Sequence, residues 1–203
     1  MTTIDITFGL IILVFSVIVH ELSHGYVALM LGDATAKYAG RLTLNPLKHL
    51  DPIGSFLVPL ITYWSGGFIF GWAKPVPYNP YNLRGGKWSP ALVAVAGPLS
   101  NLLIAIMLAI VLHFLAVTGL LSQAFAKICI VAIATNIFLA FFNLIPIPPL
   151  DGSKVIAAAL PPRFFALIGI LERYQIIFMI LLIFFGWRYV AFIPNALIRL
   201  IIF

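Results

Sequence analysis

Long stretches of apolar residues dominate this chain, and most are close to the length of a membrane-crossing helix. Such a helix needs about 20 apolar residues. The clear candidates are the runs at about 6–31, 90–117 and 122–146. The apolar tail is interrupted at Gly186-Trp187-Arg188, which predicts two further helices at about 164–185 and 188–203. The pattern therefore predicts an all-α polytopic membrane protein with about five transmembrane helices.

A further apolar run, at 52–70, is interrupted by Pro59 and Gly66-Gly67. Basic residues flank it on both sides, at Lys37, Arg41, Lys48, Lys74, Arg84 and Lys87. Because lysine and arginine concentrate in cytoplasmic loops, both ends are expected on the cytoplasmic side. The run is too short to cross the membrane twice, so we expect a re-entrant loop buried in protein, with an ordinary spanning helix as the alternative.

The same charge rule orients the other helices. The first helix is expected to run from the outside to the cytoplasm, because the 118–126 connection lacks basic residues and Lys154 and Arg163 follow the helix at 122–146. The first residues lack the basic region and cleavage site of a signal peptide, so we expect this helix to be retained.

Composition supports the same class of protein. Hydrophobic residues make up 63% of the chain, charged residues 9%, and the mean hydropathy is +1.12. The net charge of +6 lies in loops between apolar runs and does not indicate nucleic-acid binding. One cysteine, Cys129, excludes an intramolecular disulfide. We expect a single integral-membrane domain over 1–203, with a core at about 6–160 and C-terminal helices at about 164–203.

The first apolar run contains His20-Glu21-Leu22-Ser23-His24, an H-E-x-x-H motif. Histidines at i and i+4 share one helix face and can reach one Zn²⁺, while Glu21 can take a proton from a water molecule that the metal activates. Placing an ionisable group at membrane depth costs at least about 2.5 kcal/mol, so a chance match to this motif is less expected here than in a water-soluble chain. The alternative is a buried polar cluster that stabilises helix packing.

A catalytic zinc has three protein ligands, so one more is needed. The candidates are His49, Asp51, His113 and Asp151. Pro146, Pro148 and Pro149 forbid a regular helix before Asp151. Broken helix at membrane depth is tolerated where it lines a cavity, which is where a ligand carboxylate would lie. We therefore favour Asp151 as the ligand, with a helix N-cap as its alternative role.

Two asparagines and one proline-rich stretch are candidate substrate-binding elements. Asn101 ends the stretch Gly97-Pro98-Leu99-Ser100-Asn101. Asn101 and Asn143 both need polar partners, because they lie in apolar helices. Either side chain could stabilise an oxyanion or form a hydrogen bond to a neighbouring helix. Residues 71–80 cannot form a helix because of their prolines. With Pro75 and Pro77, this extended segment could pair with a substrate by strand addition, or simply link two membrane elements.

Three ordered motifs together resemble a known family. H-E-L-S-H-G at 20–25, G-P-L-S-N at 97–101 and N-L-I-P-I-P-P-L-D-G at 143–152 are similar to those of the site-2 protease family of intramembrane zinc metalloproteases. The stretch at 71–77 resembles a compact prokaryotic branch, and the resemblance covers about 8–160. It implies one zinc ion per chain held by His20, His24 and Asp151, with Glu21 as the base and Asn101 and Asn143 near bound substrate.

The resemblance also implies an activity and a location. It implies hydrolysis of peptide bonds within or near the transmembrane segments of single-span membrane proteins, in a prokaryotic cell membrane with the active site open to the cytoplasm. Many relatives carry a spanning helix before the motif helix, or PDZ or CBS domains, and we expect neither here. A metal-ion transporter and a non-catalytic membrane scaffold are the alternatives; few polar residues in the outer half and the intact Glu21 argue against them.

Overall fold

Three long helices form the centre of the molecule. The structure, a computed structural model, describes residues 3–57, 60–61, 64, 73–186 and 190–202. The long helices are α1 (Thr3–Met30), α3 (Ser89–Val117) and α4 (Gln123–Asn143). Each is long and apolar enough to cross a membrane, as the sequence predicts. The described part of the chain is helical or irregular and contains no strand.

The bundle is held together through small residues on one face of α3. Its buried side chains recur every four residues, at Gly97, Asn101, Ala105 and Ala109. Ala105, Ala109 and Leu112 pack against Cys129, Ile133 and Ile137 of α4 to form the apolar core. Small residues let helix backbones approach closely, which is how helices associate where no water is available to drive apolar burial. The other face of α3 presents large apolar side chains, as expected for contact with lipid.

Shorter elements connect the long helices on the side where α1 ends. The helix α2 spans Thr35–Tyr38, and single helical turns lie at Pro46–Lys48, Ile53–Leu57, Pro80–Asn82 and Gly86–Trp88. Residues 73–79 are without helix, as predicted for the proline-rich stretch. Most of the predicted re-entrant loop at 52–70 lies outside the described residues.

The helices of the C-terminal part are shorter and more often interrupted than the sequence predicts. It consists of α5 (Asp151–Ala159), a turn at Pro162–Phe164, α6 (Phe165–Arg173), α7 (Gln175–Leu181), a turn at Leu182–Gly186 and α8 (Phe192–Ile202). The helix predicted over 164–185 is bent by 73° between α6 and α7, next to the charged residues Glu172 and Arg173. The described residues therefore include three helices that could span a membrane, or four if this bent pair counts as one span, and the predicted five are not confirmed.

Candidate metal centre

Three buried side chains from distant parts of the chain converge inside the bundle. Potential ligand atoms of His20, His24 and Asp151 all lie within 4.8 Å of one another. Oδ2 of Asp151 is 3.1 Å from Nε2 of each histidine. Two atoms that ligate one tetrahedral zinc at about 2.0–2.1 Å lie about 3.3 Å apart. The donor set and its spacing therefore fit a zinc site.

The helical spacing of α1 and the breaks in the chain around α5 place these ligands. His20 and His24 are one helical turn apart on α1, and their ring centroids are 4.6 Å apart. Asp151 is the first residue of α5, and its carboxylate faces the histidines instead of capping its own helix. A Cβ at Gly152 would collide with backbone atoms of Leu144 and Ile145. Glycine at 152 thus lets α5 start directly against the end of α4, which brings Asp151 to α1.

Gly97 lets α3 approach the two histidines closely. A Cβ at this position would lie 2.5 Å from Nε2 of His24 and 2.6 Å from Nε2 of His20. Any side chain larger than hydrogen would therefore push into the two rings. The Gly97-Pro98-Leu99-Ser100-Asn101 motif brings its backbone, as well as Asn101, against the histidines.

Each histidine is oriented through the ring nitrogen that faces away from the cluster. Nδ1 of His20 donates to Oδ1 of Asn101 over 2.7 Å, and Nδ1 of His24 donates to the carbonyl of Val93 over 2.7 Å. With Nδ1 protonated, Nε2 of each ring keeps its lone pair for a metal. This hydrogen-bonding pattern is typical of metal-binding histidines.

A buried polar chain supports Asn101 from behind. Nδ2 of Asn101 donates to Oδ1 of Asn136 over 2.8 Å, and Nδ2 of Asn136 donates to the hydroxyl of Ser16 over 3.0 Å. All three side chains are buried. The sequence analysis missed Ser16 and Asn136, although a signal exists: Ser16 lies one helical turn before His20, and Asn136 is a polar residue within an apolar spanning helix.

Glu21 contacts the proline-rich stretch. Its Oε2 accepts a hydrogen bond of 2.8 Å from the backbone N–H of Val76. Val76 is buried between Pro75 and Pro77, which are exposed. The extended stretch therefore lies directly beside the motif on α1, which a role in substrate binding would require. Val76 makes the contact, and it was not among the residues predicted from the sequence.

Several other candidates lie apart from the cluster. Asn143 donates to the carbonyl of Leu139 in its own helix, so its predicted substrate contact stays a prediction, as does that of Asn101. His49 faces the carbonyl of Thr43, Asp51 accepts from the N–H groups of Ile53 and Gly54, and His113 faces the carbonyl of Ala109. Of the candidate third ligands, Asp151 is the one in the cluster.

The carboxylate of Asp151 is kept ionised by its surroundings. The positive charge of Lys154 favours the ionised form of this carboxylate. The ammonium of Lys154 lies 3.3 Å from Oδ1. The ionised form is the one that binds a metal.

Comparison with known proteins identifies the family. Residues 118–184 match the model of "Peptidase family M50". "Putative zinc metalloprotease YwhC" of Bacillus subtilis is 39% identical over 179 residues, which cover 85% of this chain and 78% of the relative. "Putative zinc metalloprotease Rip2" of Mycobacterium tuberculosis is 30% identical over 174 residues, which cover 82% of this chain and 62% of Rip2. No solved structure matches this chain.

The buried His-His-Asp cluster and the adjacent Glu21 are the residue types that a zinc metalloprotease uses as ligands and base. The chain belongs to the site-2 protease family, peptidase family M50, whose members use zinc. The family-model match includes Asp151 but not His20, Glu21 or His24, so the roles of these three residues rest on geometry and motif.

Proposed function

We propose that this metalloprotease hydrolyses peptide bonds within or near the transmembrane segments of single-span membrane proteins. One observation carries the proposal: the cluster of His20, His24 and Asp151 lies inside the helix bundle, with two of its members on the spanning helix α1. Polar groups at this depth are costly unless they have a function. A buried site on a membrane-spanning helix is suited to substrates that are themselves in the membrane.

In this proposal His20, His24 and Asp151 hold one zinc ion per chain. The ion, when bound, lowers the pKa of water and polarises the scissile carbonyl. Asn101 and the carbonyl of Val93 keep the two rings in the tautomer that ligation needs. The ionised Asp151 supplies a negative charge that partly balances the cation.

Glu21 moves the proton in two stages. Its carboxylate first accepts a proton from the attacking water, and then delivers it to the nitrogen of the leaving amine as the C–N bond breaks. Asn101 and Asn143 are proposed to lie near the bound substrate. The amide of Asn143 could stabilise the negative charge on the carbonyl oxygen, whereas the N–H groups of Asn101 are already donated to Asn136 and to the carbonyl of Ser16.

The substrate must unwind before it can be cut. A helical segment hides its carbonyl oxygens in its own hydrogen bonds, so residues that weaken a helix near the cleavage site are expected to favour cleavage. The exposed Pro75 and Pro77 are proposed to contact the unwound strand, because they lie on either side of the residue that contacts Glu21. The active site is proposed to open to the cytoplasm of a prokaryotic cell.

Metal content and cleavage by purified protein test the proposal. Wild type and Glu21→Gln are compared for bound zinc and for cleavage of a panel of single-span proteins in detergent. Glu21→Gln keeps the size and an acceptor oxygen but cannot take up the proton, so we expect equal zinc and cleavage by the wild type alone. Asp151→Ala is expected to lose zinc. Cleavage by Glu21→Gln at the wild-type rate would exclude Glu21 as the base.

A further inference from the structure

Residues 73–79, which we call the clamp, form an extended segment beside α1. Its central contact is the 2.8 Å hydrogen bond from the N–H of Val76 to Oε2 of Glu21. Proline has no backbone N–H, so Val76 carries the single backbone donor between Pro75 and Pro77. The flanking prolines also restrict the backbone and keep this stretch extended. The one available donor is thus aimed at the carboxylate.

Arg41 holds the clamp on one side of Val76. Its Nη2 donates to the carbonyl of Lys74 over 2.7 Å and to that of Pro75 over 3.3 Å. The N–H of Lys74 donates to the carbonyl of His49 over 2.8 Å. Arg41 is 8% exposed, so these charge-assisted bonds are sheltered from competing water.

Asp33 holds the clamp on the other side. Its Oδ2 accepts from the N–H of Asn79 over 2.7 Å, and its Oδ1 accepts from Nδ2 of Asn82 over 2.9 Å and from the hydroxyl of Thr35 over 2.6 Å. Burial raises the pKa of Asp33, but these bonds outweigh it and leave the pKa below its ordinary value. The anchor is therefore ionised at neutral pH, where each bond to it is charge-assisted.

Close packing sets the distance between the clamp and α1. The side chain of Val76 is 5% exposed. A Cβ at Gly25 would lie 2.8 Å from Cγ1 of Val76 and 2.5 Å from Cδ2 of Leu42. Gly25 follows His24 directly, so the absence of a side chain there lets the clamp reach Glu21 on the neighbouring turn.

We propose that the clamp positions the catalytic carboxylate, and that Asp33 and Arg41 are positioning residues for proton transfer. The inference rests on the proposed role of Glu21 as the base. A carboxylate on a glutamate side chain rotates easily, and the bond to Oε2 fixes its plane while leaving Oε1 to take and deliver the proton. Two anchors, one before Val76 and one after it, keep the N–H donor in place.

Hydrogen exchange tests the contact without any substrate. Val76 carries the one exchangeable backbone amide within 75–77, and its exchange is followed by NMR on protein labelled with 15N at valine. Glu21→Gln retains an acceptor oxygen, whereas Glu21→Ala does not. We expect the Val76 amide to be protected in the wild type and in Glu21→Gln, and to exchange at least tenfold faster in Glu21→Ala. Equal exchange in Glu21→Ala and the wild type would overturn the contact.

Kinetics tests the positioning role. The probe is a synthetic peptide with one apolar span of about 20 residues, interrupted by Gly-Pro and carrying a fluorophore and a quencher. Asp33→Asn removes the charge of one anchor, and Val76→Pro removes the donor itself. Because small misplacements of a reacting group cost up to about 100-fold in rate, we expect kcat to fall by about 10- to 100-fold in both, with zinc content unchanged. We expect KM to stay unchanged in Asp33→Asn, which leaves the stretch from Pro75 to Pro77 intact.

The control is Asp51→Asn, which alters a loop aspartate that caps Ile53–Leu57 and does not contact the clamp. It is expected to keep the wild-type kcat. A wild-type kcat in both Asp33→Asn and Val76→Pro would overturn the positioning role of the clamp and leave the proposed function standing. Loss of zinc in both variants would also overturn that role, because the lower kcat would then follow from the missing metal. A wild type that leaves the peptide uncut would overturn the proposed function and the role of the clamp with it.

Discussion

Individual hydrogen bonds determine which ring nitrogen of His20 is available to bind a metal. His20 donates through Nδ1 to Asn101, and Asn101 is in turn held by Asn136 and Ser16. Each amide N–H of Asn101 and Asn136 meets an acceptor, so one arrangement of the two amides satisfies them both. The tautomer of His20 is thereby determined by residues that do not contact the metal.

Replacing Asn101 with leucine is expected to weaken zinc binding. The change keeps the branched shape of the side chain but removes the acceptor for His20 Nδ1–H, and outer-shell changes of this kind cost about 10- to 100-fold in metal affinity. The zinc dissociation constant, measured by competition with a chelator, checks this. Ser100→Ala is the control, because the Ser100 hydroxyl bonds to the carbonyl of Gly97 in its own helix. An unchanged dissociation constant in Asn101→Leu would contradict the supporting role.

The long helices could be predicted from the sequence, whereas the contacts between elements could not. The runs at 6–31, 90–117 and 122–146 became α1, α3 and α4 nearly unchanged, because the length of an apolar run is a local property. The break in the helix before Asp151 was also predictable, since Pro146, Pro148 and Pro149 forbid regular helix there. The bend between α6 and α7 and the meeting of Asn136 with Ser16 depend on tertiary contacts, which hydrophobic patterning does not contain.

Gly97→Ala tests the close approach of α3 to the two histidines of α1. The added methyl would collide with the rings of His20 and His24, so either α3 moves away or the rings turn. We expect loss of most bound zinc and a lower unfolding temperature, both measurable on purified protein. Gly9→Ala is the control, because nothing lies within 4 Å of a Cβ there. A Gly97→Ala protein with full zinc content would show that the helices are less tightly packed than the structure indicates.

In the described part of the molecule, polar side chains are buried inside the bundle beside the apolar core, and large apolar side chains are exposed on its surface. The buried side chains include Ser16, His20, His24, Asn101 and Asn136, while large apolar side chains are exposed along α1, α3 and α4. A protein surrounded by lipid can expose its apolar residues and must pair its polar ones internally. This arrangement agrees with a membrane protein that encloses its chemistry within the bundle.

The direction of the bundle across the membrane is the last expectation to test. The positive-inside rule puts α2 in the cytoplasm and the connection between α3 and α4 outside. Tyr38 on α2 is 87% exposed and Leu120 in the connection is 72% exposed, and the one native cysteine, Cys129, is buried. In intact cells, a membrane-impermeant maleimide is expected to label Leu120→Cys, and Tyr38→Cys only after permeabilisation, with the wild type unlabelled as the control. Labelling of Tyr38→Cys alone in intact cells would place the site on the outer side of the membrane, and the cytoplasmic location of cleavage would then be wrong.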